Sequence, residues 1–276
     1  MISIIVILYN SGTHLDKCLS SLIKSLNNSH GIEYEIIFIN NDSISYKDII
    51  LKYFSEFIYV DNNFNYGFSK SLNLGVRKSI GSHILALNPD IEVNGLLVKN
   101  IFNTFELSDD IGIVGGKVLN IDGTFQESSR RRIPTFTNII QRLLYKFNLM
   151  KNNKYNYSEY SSNERNYIES ISGCCMMFTR KLYDKISGFD ERFFLYFEDT
   201  DFCKRAIENN YKVVYNPDVS LNHFKGGSTK FSNYFNVQFH FYCSMVKFFN
   251  KHSNLYKKII FIITILLSFI YILLIN

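Results

Sequence analysis

Apolar residues in the first part of the chain form short runs separated by segments of helical spacing. Residues 2–8 and residues 34–39 are two such runs, both rich in isoleucine. Between them lies a segment whose apolar residues share one face of a helix: Leu15, Leu19, Leu22, Ile23 and Leu26. A buried strand, a helix and a second buried strand make a parallel βαβ unit, so this segment predicts a parallel sheet.

The same alternation continues to residue 90. It predicts a helix at 46–54, a strand at 57–60, a helix at 68–79 and a strand at 83–87. Alternating strands and helices are typical of an α/β fold with a doubly wound sheet. Nucleotides bind at the carboxyl ends of such strands, so polar residues that directly follow a strand become candidate binding residues.

The second half of the chain is less regular. Its pattern predicts short strands or a hairpin at 111–119 and 124–128, a helix from Pro134 to about Met150, a strand from Ile168 to Thr179, helices at 180–186 and 198–209, a strand at 211–215, and an aromatic helix at 232–252. The polar stretch 151–166 is the best candidate for a mobile loop.

Near its C-terminus the chain becomes strongly apolar, and residues 259–275 carry no charge. This length is at the short end for a transmembrane helix, with a buried or interfacial helix as the alternative. Basic residues before a span favour the cytoplasmic side, and four lysines precede this one: Lys247, Lys251, Lys257 and Lys258. We expect a domain at 1–230, a helical linker at 231–258, and a membrane anchor at 259–275 that holds the protein at the cytoplasmic face of the membrane.

Composition narrows the classes of partner. Hydrophobic residues make up 46% and charged residues 20%, which is typical of a folded globular protein. The net charge of +5 suits a partner that carries phosphate, and the absence of any nucleic-acid-binding signature argues against DNA or RNA. Five cysteines without a CxxC pair indicate a reducing compartment.

The tripeptide Asn88-Pro89-Asp90 directly follows the apolar strand 84–87. A carboxylate at the carboxyl end of a strand can hold a divalent cation, which in turn can bridge two phosphates. The alternative is a proline-containing turn in which Asp90 caps a helix.

A second acidic group, Glu198, Asp199 and Asp201, places three carboxylates within four residues. Their mutual repulsion raises pKa values, and one such acid within hydrogen-bond reach can take a proton from an attacking hydroxyl. The alternative is an acidic first helical turn in which Asp201 pairs with Arg205 on the surface. A third candidate is His223, which alone is more often a structural residue.

The order of short motifs carries more information than any single one. The motifs are, in order, Val6 to Asn10, Asn40 to Ser43, Asn65 to Phe68 with Asn73 and Gly75, Asn88 to Asp90, Ser172-Gly173, Gly188 to Glu191, Phe193-Phe194, Glu198 to Asp201, and His223 to Ser228. This set resembles the inverting family 2 glycosyltransferases of the GT-A fold over about residues 2–230. The Asn-Pro-Asp variant and the second-half acidic block most resemble the rhamnosyltransferase branch.

The resemblance implies a GT-A, Rossmann-like fold with a mixed, mostly parallel sheet flanked by helices. It also implies a site for a nucleotide-sugar donor. Tyr9 matches the residue that packs on the base, and Asn40 and Asn41 match residues that hydrogen-bond it. Five further residues are candidates for donor contacts: Asn65, Gly67, Lys70, Asn88 and Arg131. The family commonly has Asp where Asn40 stands.

The resemblance further implies a metal and a base. Asp90 matches the last acid of the family's DxD motif, of which the Asn-Pro-Asp variant keeps one carboxylate, and His223 matches a histidine that completes the metal site, so Mg²⁺ or Mn²⁺ is the expected cofactor. Asp199 matches the general base, with Glu198 beside it. Three residues are candidates for acceptor or sugar contacts: Ser172, Gly173 and Arg205. The chemistry requires Asp90 and Asp199 to meet around one diphosphate.

The expected activity is transfer of a sugar, with a lean toward L-rhamnose from dTDP-rhamnose, onto a polysaccharide or a lipid-linked glycan. Galactofuranosyl, glucosyl or N-acetylhexosaminyl transfer would use the same scaffold, and a non-catalytic nucleotide-binding relative is a further alternative. A Rossmann-type oxidoreductase is disfavoured, because no GxGxxG follows the first strand.

Overall fold

A nine-stranded mixed sheet forms the centre of the fold. The computed structural model of the chain describes residues 1–12, 14–135, 137–138, 141, 154–224 and 234–253. The strands of the central sheet are β1 (Ile2–Leu8), β2 (Tyr34–Asn40), β3 (Ile58–Asp61), β4 (His83–Leu87), β5 (Ile91–Val93), β6 (Ile111–Leu119), β8 (Asn166–Ile168), β10 (Cys175–Thr179) and β11 (Lys212–His223). A separate two-stranded sheet pairs β7 (Arg130–Arg131) with β9 (Ser170–Ile171).

The strand order is β3-β2-β1-β4-β10-β6-β11-β5, and β8 also pairs with β11. The prediction of a mixed α/β sheet flanked by helices is confirmed. The half formed by β3, β2, β1 and β4 is parallel, whereas β10, β5 and β8 pair antiparallel with their neighbours, so the sheet is less parallel than predicted. A parallel crossover needs a dozen or more residues, and residues 88–90, which separate β4 from β5, are too few for one.

Helices cover both faces of the sheet. They are α1 (Leu15–Asn27), α2 (Lys47–Leu51), α3 (Phe68–Lys78), α4 (Leu97–Asn103), α5 (Arg180–Lys185), α6 (Glu198–Glu208) and α7 (Tyr234–His252). Apolar residues of α1, α2 and α4 pack with Ile4 and Val6 of β1, and those of α3, α5 and α6 pack with Ile5. Because β1 is buried on both faces, its sequence reads as a continuous apolar run.

Several predicted boundaries move for a physical reason. β11 was predicted to end at Tyr215 but continues to His223, because a bulge between Asn216 and Ser220 takes Pro217 out of the hydrogen-bonding ladder. The strand predicted over 168–179 is interrupted at residues 172–174, between β9 and β10. Of the two alternatives predicted for 111–128, the hairpin is the one that forms: Phe125 makes an antiparallel bridge with Leu119, and the N–H of Gln126 donates to the carbonyl of Val118 at 2.9 Å.

The predicted mobile loop is anchored over its described part, residues 154–166. Arg130, of which only 2% is exposed, donates hydrogen bonds to the carbonyl oxygens of Tyr157, Tyr160 and Ser161. A buried guanidinium that meets several carbonyl groups fixes the backbone around it. The structure therefore gives this polar stretch a defined course on the domain.

Helix α7 packs on the turn that precedes α6. Phe193 and Phe197 of that turn form an apolar cluster with three residues of the helix: Met245, Phe248 and Phe249. The described part of the predicted linker at 231–258 therefore lies against the domain. The predicted anchor at 259–275 and nearly all of the helix predicted to end at Met150 lie outside the described residues. Within the described ranges, no helix is long and apolar enough to cross a bilayer.

Candidate active site

One edge of the sheet gathers the polar motifs. Strands β1, β2 and β4 are parallel, so the residues after each of them reach the same edge. β10 runs antiparallel to β4 with Cys175 opposite Leu87, which brings residues 172–174 to this edge as well. β11 ends here too, with His223 opposite Ile91 of β5.

Two backbone hydrogen bonds connect the two acidic motifs. The Gly173 N–H donates to Oδ2 of Asp199 at 3.1 Å. One residue further, the Cys174 carbonyl accepts the N–H of Asn88 at 2.8 Å. Burial raises the pKa of the Cys174 thiol to about 11, and the charges of Asp90 and Asp199 both add to the rise. The two aspartates therefore both lie near Cys174, and the predicted substrate cleft is the region between them.

Asp199 is buried, with 7% of its surface exposed. Its Oδ2 accepts a hydrogen bond from Nη2 of Arg131 at 2.6 Å, and its Oδ1 accepts from the N–H of Thr200 at 2.7 Å. Hydrogen bonds between charged groups are roughly twice as strong as neutral ones and fix geometry. Arg131, which was predicted to bind the donor, here ends on the carboxylate of Asp199.

Glu198 has a different environment. It is 6% exposed, and its Oε2 is a buried atom that has no hydrogen-bond partner among the described residues. Burial, and after it the repulsion from Asp199, raises the pKa of Glu198 to about 8. Near neutral pH the free protein therefore holds Glu198 mostly protonated, next to an Asp199 that is ion-paired with Arg131.

Asp90 and His223 lie side by side. Oδ1 of Asp90 is buried, has no hydrogen-bond partner in the described part of the chain, and lies 3.4 Å from Nε2 of His223. The side-chain amide of Gln126 donates to the carbonyl oxygens of Leu119 and His223, so its Oε1 is the acceptor that faces Nδ1 of His223 at 3.2 Å. The hydrogen of a neutral His223 ring is thereby directed to Nδ1, and Nε2 presents its lone pair to Asp90.

These two side chains fit a divalent cation. Across the part of the chain that the structure describes, no group of three or more His, Cys, Asp or Glu side chains is arranged to hold a metal ion.

The asparagines at the end of β2 hydrogen-bond with other groups of the protein. The Asn40 amide donates to the carbonyl oxygens of Asp42 and Ile44 and to the carboxylate of Asp61. Asn41 exchanges hydrogen bonds with three neighbours: Asn62, Asn65 and Ser71. Recognition of a nucleobase by these two residues stays a prediction and requires exchange of these partners.

The remaining predicted donor residues have mixed surroundings. Tyr9 is half-buried at the end of β1, and the ammonium of exposed Lys70 lies 4.2 Å from the ring centroid of Tyr66. Gly67 has φ of +80°, and a Cβ atom there would come within 2.5 Å of the carbonyl oxygen of Phe194. Gly67 is thus needed where the start of α3 meets the turn before α6.

Of the predicted acceptor residues, Gly173 lies at the junction described above and Ser172 lies next to it. The Ser172 hydroxyl accepts the N–H of Cys174 at 3.4 Å. Arg205 instead donates to Asp201 at 2.8 Å and to the carbonyl of Ile186 at 2.6 Å, contacts that hold it inside the protein rather than at the cleft. Sequence reasoning missed Gln126, which reaches His223 from a distant hairpin and has no local signal.

Comparison with known proteins gives two matches to family models. One, described as Glycosyl transferase family 2, matches residues 3–187. The other, described as the N-terminal domain of galactosyltransferase, matches residues 154–226. The two overlap, and together they include both acidic motifs.

Two curated relatives are similar in sequence. The low-salt glycan biosynthesis hexosyltransferase Agl10 of Haloferax volcanii is 26% identical over 159 residues, which are 56% of this chain and 48% of the relative. The N-acetylglucosaminyl-diphospho-decaprenol L-rhamnosyltransferase of Mycobacterium tuberculosis is 21% identical over 243 residues, which are 83% of this chain and 78% of the relative. The chain thus spans about half the length of the first relative.

Solved structures share the fold. TarS of S. aureus, as a fragment of residues 1–349, superposes with a TM-score of 0.56 at 18% identity and covers 82% of this chain and 60% of that one. The mannosyltransferase PcManGT of Pyrobaculum calidifontis was solved with GDP-Man and Mn²⁺. It superposes with a TM-score of 0.60 at 14% identity, and the match covers 91% of this chain and 63% of PcManGT.

The raised pKa of Glu198 makes stability depend on pH. The folded pKa of about 8 exceeds the unfolded value of 4.5, so the protonated side chain favours the folded state. This stability is fully present below pH 4.5 and is lost as the pH rises through 8. Glu198→Gln removes this contribution to the pH dependence of stability. We therefore expect the Tm of Glu198→Gln minus that of the wild type to increase steadily from pH 4.5 to pH 8.

Thermal unfolding across this pH range measures the difference. Glu208→Gln, at an exposed position of the same helix, is the matched control and should run parallel to the wild type. A constant offset between Glu198→Gln and the wild type at every pH would contradict the burial of an ionisable Glu198.

Proposed function

The chain belongs to glycosyl transferase family 2, whose model matches more than half of its length, and from this we propose that it transfers a hexose from a nucleoside diphosphate to a glycan acceptor with inversion. The observation that carries the proposal is the pair of hydrogen bonds through which Gly173 and Cys174 connect Asp199 with Asn88, next to Asp90. A diphosphate bound in this cleft would have the proposed metal ligand on one side and the proposed base on the other.

Asp199 is the proposed general base. It takes the proton of an acceptor hydroxyl as that oxygen forms a bond to the anomeric carbon of the donor sugar, and the bond from this carbon to the diphosphate breaks on the opposite face. One displacement of this kind inverts the anomeric carbon. The electron pair of the broken bond leaves with the nucleoside diphosphate.

Arg131 and Glu198 prepare the base for this role. Arg131 holds Oδ2 of Asp199 at 2.6 Å, and this fixed orientation reduces the reorganisation needed when the acceptor arrives. Glu198 is protonated near neutral pH, and its Oε2 has no hydrogen-bond partner among the residues that the structure describes, so it offers a neutral carboxyl group to a sugar hydroxyl. One neutral and one paired acid avoid placing two free negative charges beside a diphosphate.

Asp90 and His223 are the proposed metal ligands, with Gln126 orienting the His223 ring. A bound Mg²⁺ or Mn²⁺ would supply positive charge to the diphosphate leaving group. The separation of 3.4 Å between Oδ1 of Asp90 and Nε2 of His223 supports this assignment. PcManGT, which shares the fold, was solved with Mn²⁺.

The donor that we propose is dTDP-L-rhamnose, with a polysaccharide or lipid-linked glycan as acceptor. The resemblance of the second-half motifs to rhamnosyltransferases supports it, as does the similarity to the mycobacterial rhamnosyltransferase. Galactofuranose, glucose and N-acetylhexosamine are the alternatives. We also propose that the protein works at the cytoplasmic face of a membrane, on the basis of the apolar segment 259–275 and the lysines before it.

Replacement of the proposed base tests the mechanism. Asp199→Asn keeps the shape of the side chain but cannot accept the proton, so we expect transfer to fall by at least about a hundredfold while nucleoside diphosphate binding changes little. Steady-state transfer and calorimetric binding measure the two. Asp109→Asn, at an exposed position, is the control. Normal turnover by Asp199→Asn would rule out the assignment.

The metal ligands are tested by binding alone. In wild-type protein we expect Mn²⁺ to increase the affinity for dTDP or UDP, and in Asp90→Ala this increase should shrink by about ten- to a hundredfold. The matched control is Glu92→Ala, at an exposed position of β5 that lies two residues after Asp90. An unchanged Mn²⁺ effect in Asp90→Ala would exclude Asp90 as a ligand.

A panel of nucleotide sugars tests the donor. We expect the highest kcat/KM with dTDP-L-rhamnose when the panel also contains UDP-galactofuranose, UDP-glucose and UDP-N-acetylglucosamine, and lipid-linked saccharides serve as acceptors. A higher value for another donor would replace rhamnose in the proposal. Absence of both transfer and donor hydrolysis with every member would favour the non-catalytic alternative.

A further inference from the structure

The acidic group at the start of α6 is divided between two surroundings. Glu198 and Asp199 border the cleft, whereas Asp201 is completely buried beneath helix α7. Its carboxylate lies 2.7 Å from Nζ of Lys251 and 2.7 Å from Nε2 of His252, both in the last turn of α7. Arg205 approaches it at 2.8 Å from α6 itself. Asp201 therefore joins the C-terminal helix to the helix that carries the proposed base.

One face of α7 also holds the turn before α6, residues 190–197, which we call the acid turn. Lys251 lies 2.7 Å from the carboxylate of Asp190. Lys247 donates to the carbonyl of Arg192 at 2.7 Å, and the Ser244 hydroxyl donates to the carbonyl of Leu195 at 2.8 Å. Positions 244, 247 and 251 recur at helical spacing, so a single stripe of α7 makes all these contacts.

Aromatic packing reinforces the polar contacts. The ring of Phe197 lies 5.4 Å from that of Phe241 and 5.6 Å from that of Phe248, and Tyr196 lies 5.7 Å from Phe241. These centroid distances are those of favourable aromatic pairs. The last two residues of the acid turn are thus held by α7 through their side chains.

Those same two residues have an unusual backbone conformation. Tyr196 has φ of +69° and Phe197 has φ of +66°, in the left-handed region that residues with a side chain rarely adopt. Such conformations persist only where the surrounding structure holds them. Phe197 is the N-cap of α6, and Glu198 follows directly, so the conformation of the acid turn determines where the acidic pair begins.

We propose that α7 is a positioning element for catalysis and that Lys251 and His252 are positioning residues, which act through Asp201 and the acid turn on Glu198 and Asp199. This inference rests on the proposed function for its catalytic consequence. The contact of Lys251 with both Asp190 and Asp201 makes it the central member of the set, because its loss removes one partner from both carboxylates at once.

The electrostatics of Asp201 agree with a permanent link. Burial raises the pKa of Asp201, but the hydrogen bond from His252 and the charges of Arg205 and Lys251 outweigh it and hold the pKa below its usual value. Asp201 thus stays ionised inside the protein and depends on these partners. Removing one partner leaves a buried charge that is less well compensated, which favours movement of α7 away from α6.

The full chain with Lys251→Met provides the test, since Met keeps the length of the side chain and removes its charge. We expect kcat to fall about ten- to a hundredfold, as for a small displacement of a catalytic group, while donor KM and the number of nucleotide-binding sites stay unchanged. Lys251→Arg should recover most of kcat. Lys204→Met, which removes an ion pair with Glu208 elsewhere on α6, is the matched control and should keep its kcat.

A structural role without catalytic consequence gives a different result. In that case kcat per nucleotide-binding site would equal that of Lys204→Met, whether or not the number of sites had fallen, and the positioning role would be overturned. Recovery by Lys251→Arg separates loss of charge from loss of packing, because Arg can restore the contact with Asp201.

Amide hydrogen exchange tests the link independently of sugar transfer. The N–H of Asp201 donates to the carbonyl of Phe197 at 2.8 Å and reports on the start of α6. We expect this amide to exchange faster in Lys251→Met than in Lys204→Met, by about tenfold or more. Equal exchange would overturn the link even in an active enzyme. An inactive wild type would instead overturn the proposed function, and the exchange result would still decide whether α7 holds the acid turn.

Discussion

Backbone groups of Gly173 and Cys174, directly before β10, connect the two acidic motifs. The Gly173 N–H reaches Asp199, and the Cys174 carbonyl accepts the N–H of Asn88, at 3.1 Å and 2.8 Å. Gly173 and Cys174 contribute backbone atoms to these contacts, so the register of β10 on β4, with Cys175 opposite Leu87, fixes where both contacts are made. Sheet geometry therefore places this backbone between the two acidic motifs, and the side chain of Asp199 completes the connection.

The side chains around this junction have separate tasks. Gln126 orients His223 toward Asp90, and Arg131 holds Asp199. On the far side of α6, Asp201 and α7 restrain the left-handed turn from which the acidic pair starts. The acidic group Glu198 to Asp201 thus combines the proposed catalytic pair with a buried aspartate that contacts α7. Neighbouring positions of one helix face a cleft and a partner helix, and each has the environment that its task requires.

Strong local signals account for what the sequence could predict. β1 and β4 are buried runs that end in polar motifs, so their existence and the polar edge could be inferred from the residues alone. The continuation of β11 to His223 could not be inferred from the sequence, because a proline normally ends a strand. In the structure a bulge accommodates Pro217 within β11. Lys247 and Lys251 were interpreted as basic residues before a membrane segment. A lysine has the same charge whether it meets a lipid or a buried aspartate, so their contacts with the acid turn required the structure.

A crystal structure of the full chain with a nucleoside diphosphate and Mn²⁺ tests the central claim most directly. The account predicts that the ion lies on Asp90 and His223 and that the diphosphate lies beside Cys174, with Asp199 on its other side. It would be contradicted by a diphosphate bound away from Cys174, or by an ion with no contact to Asp90.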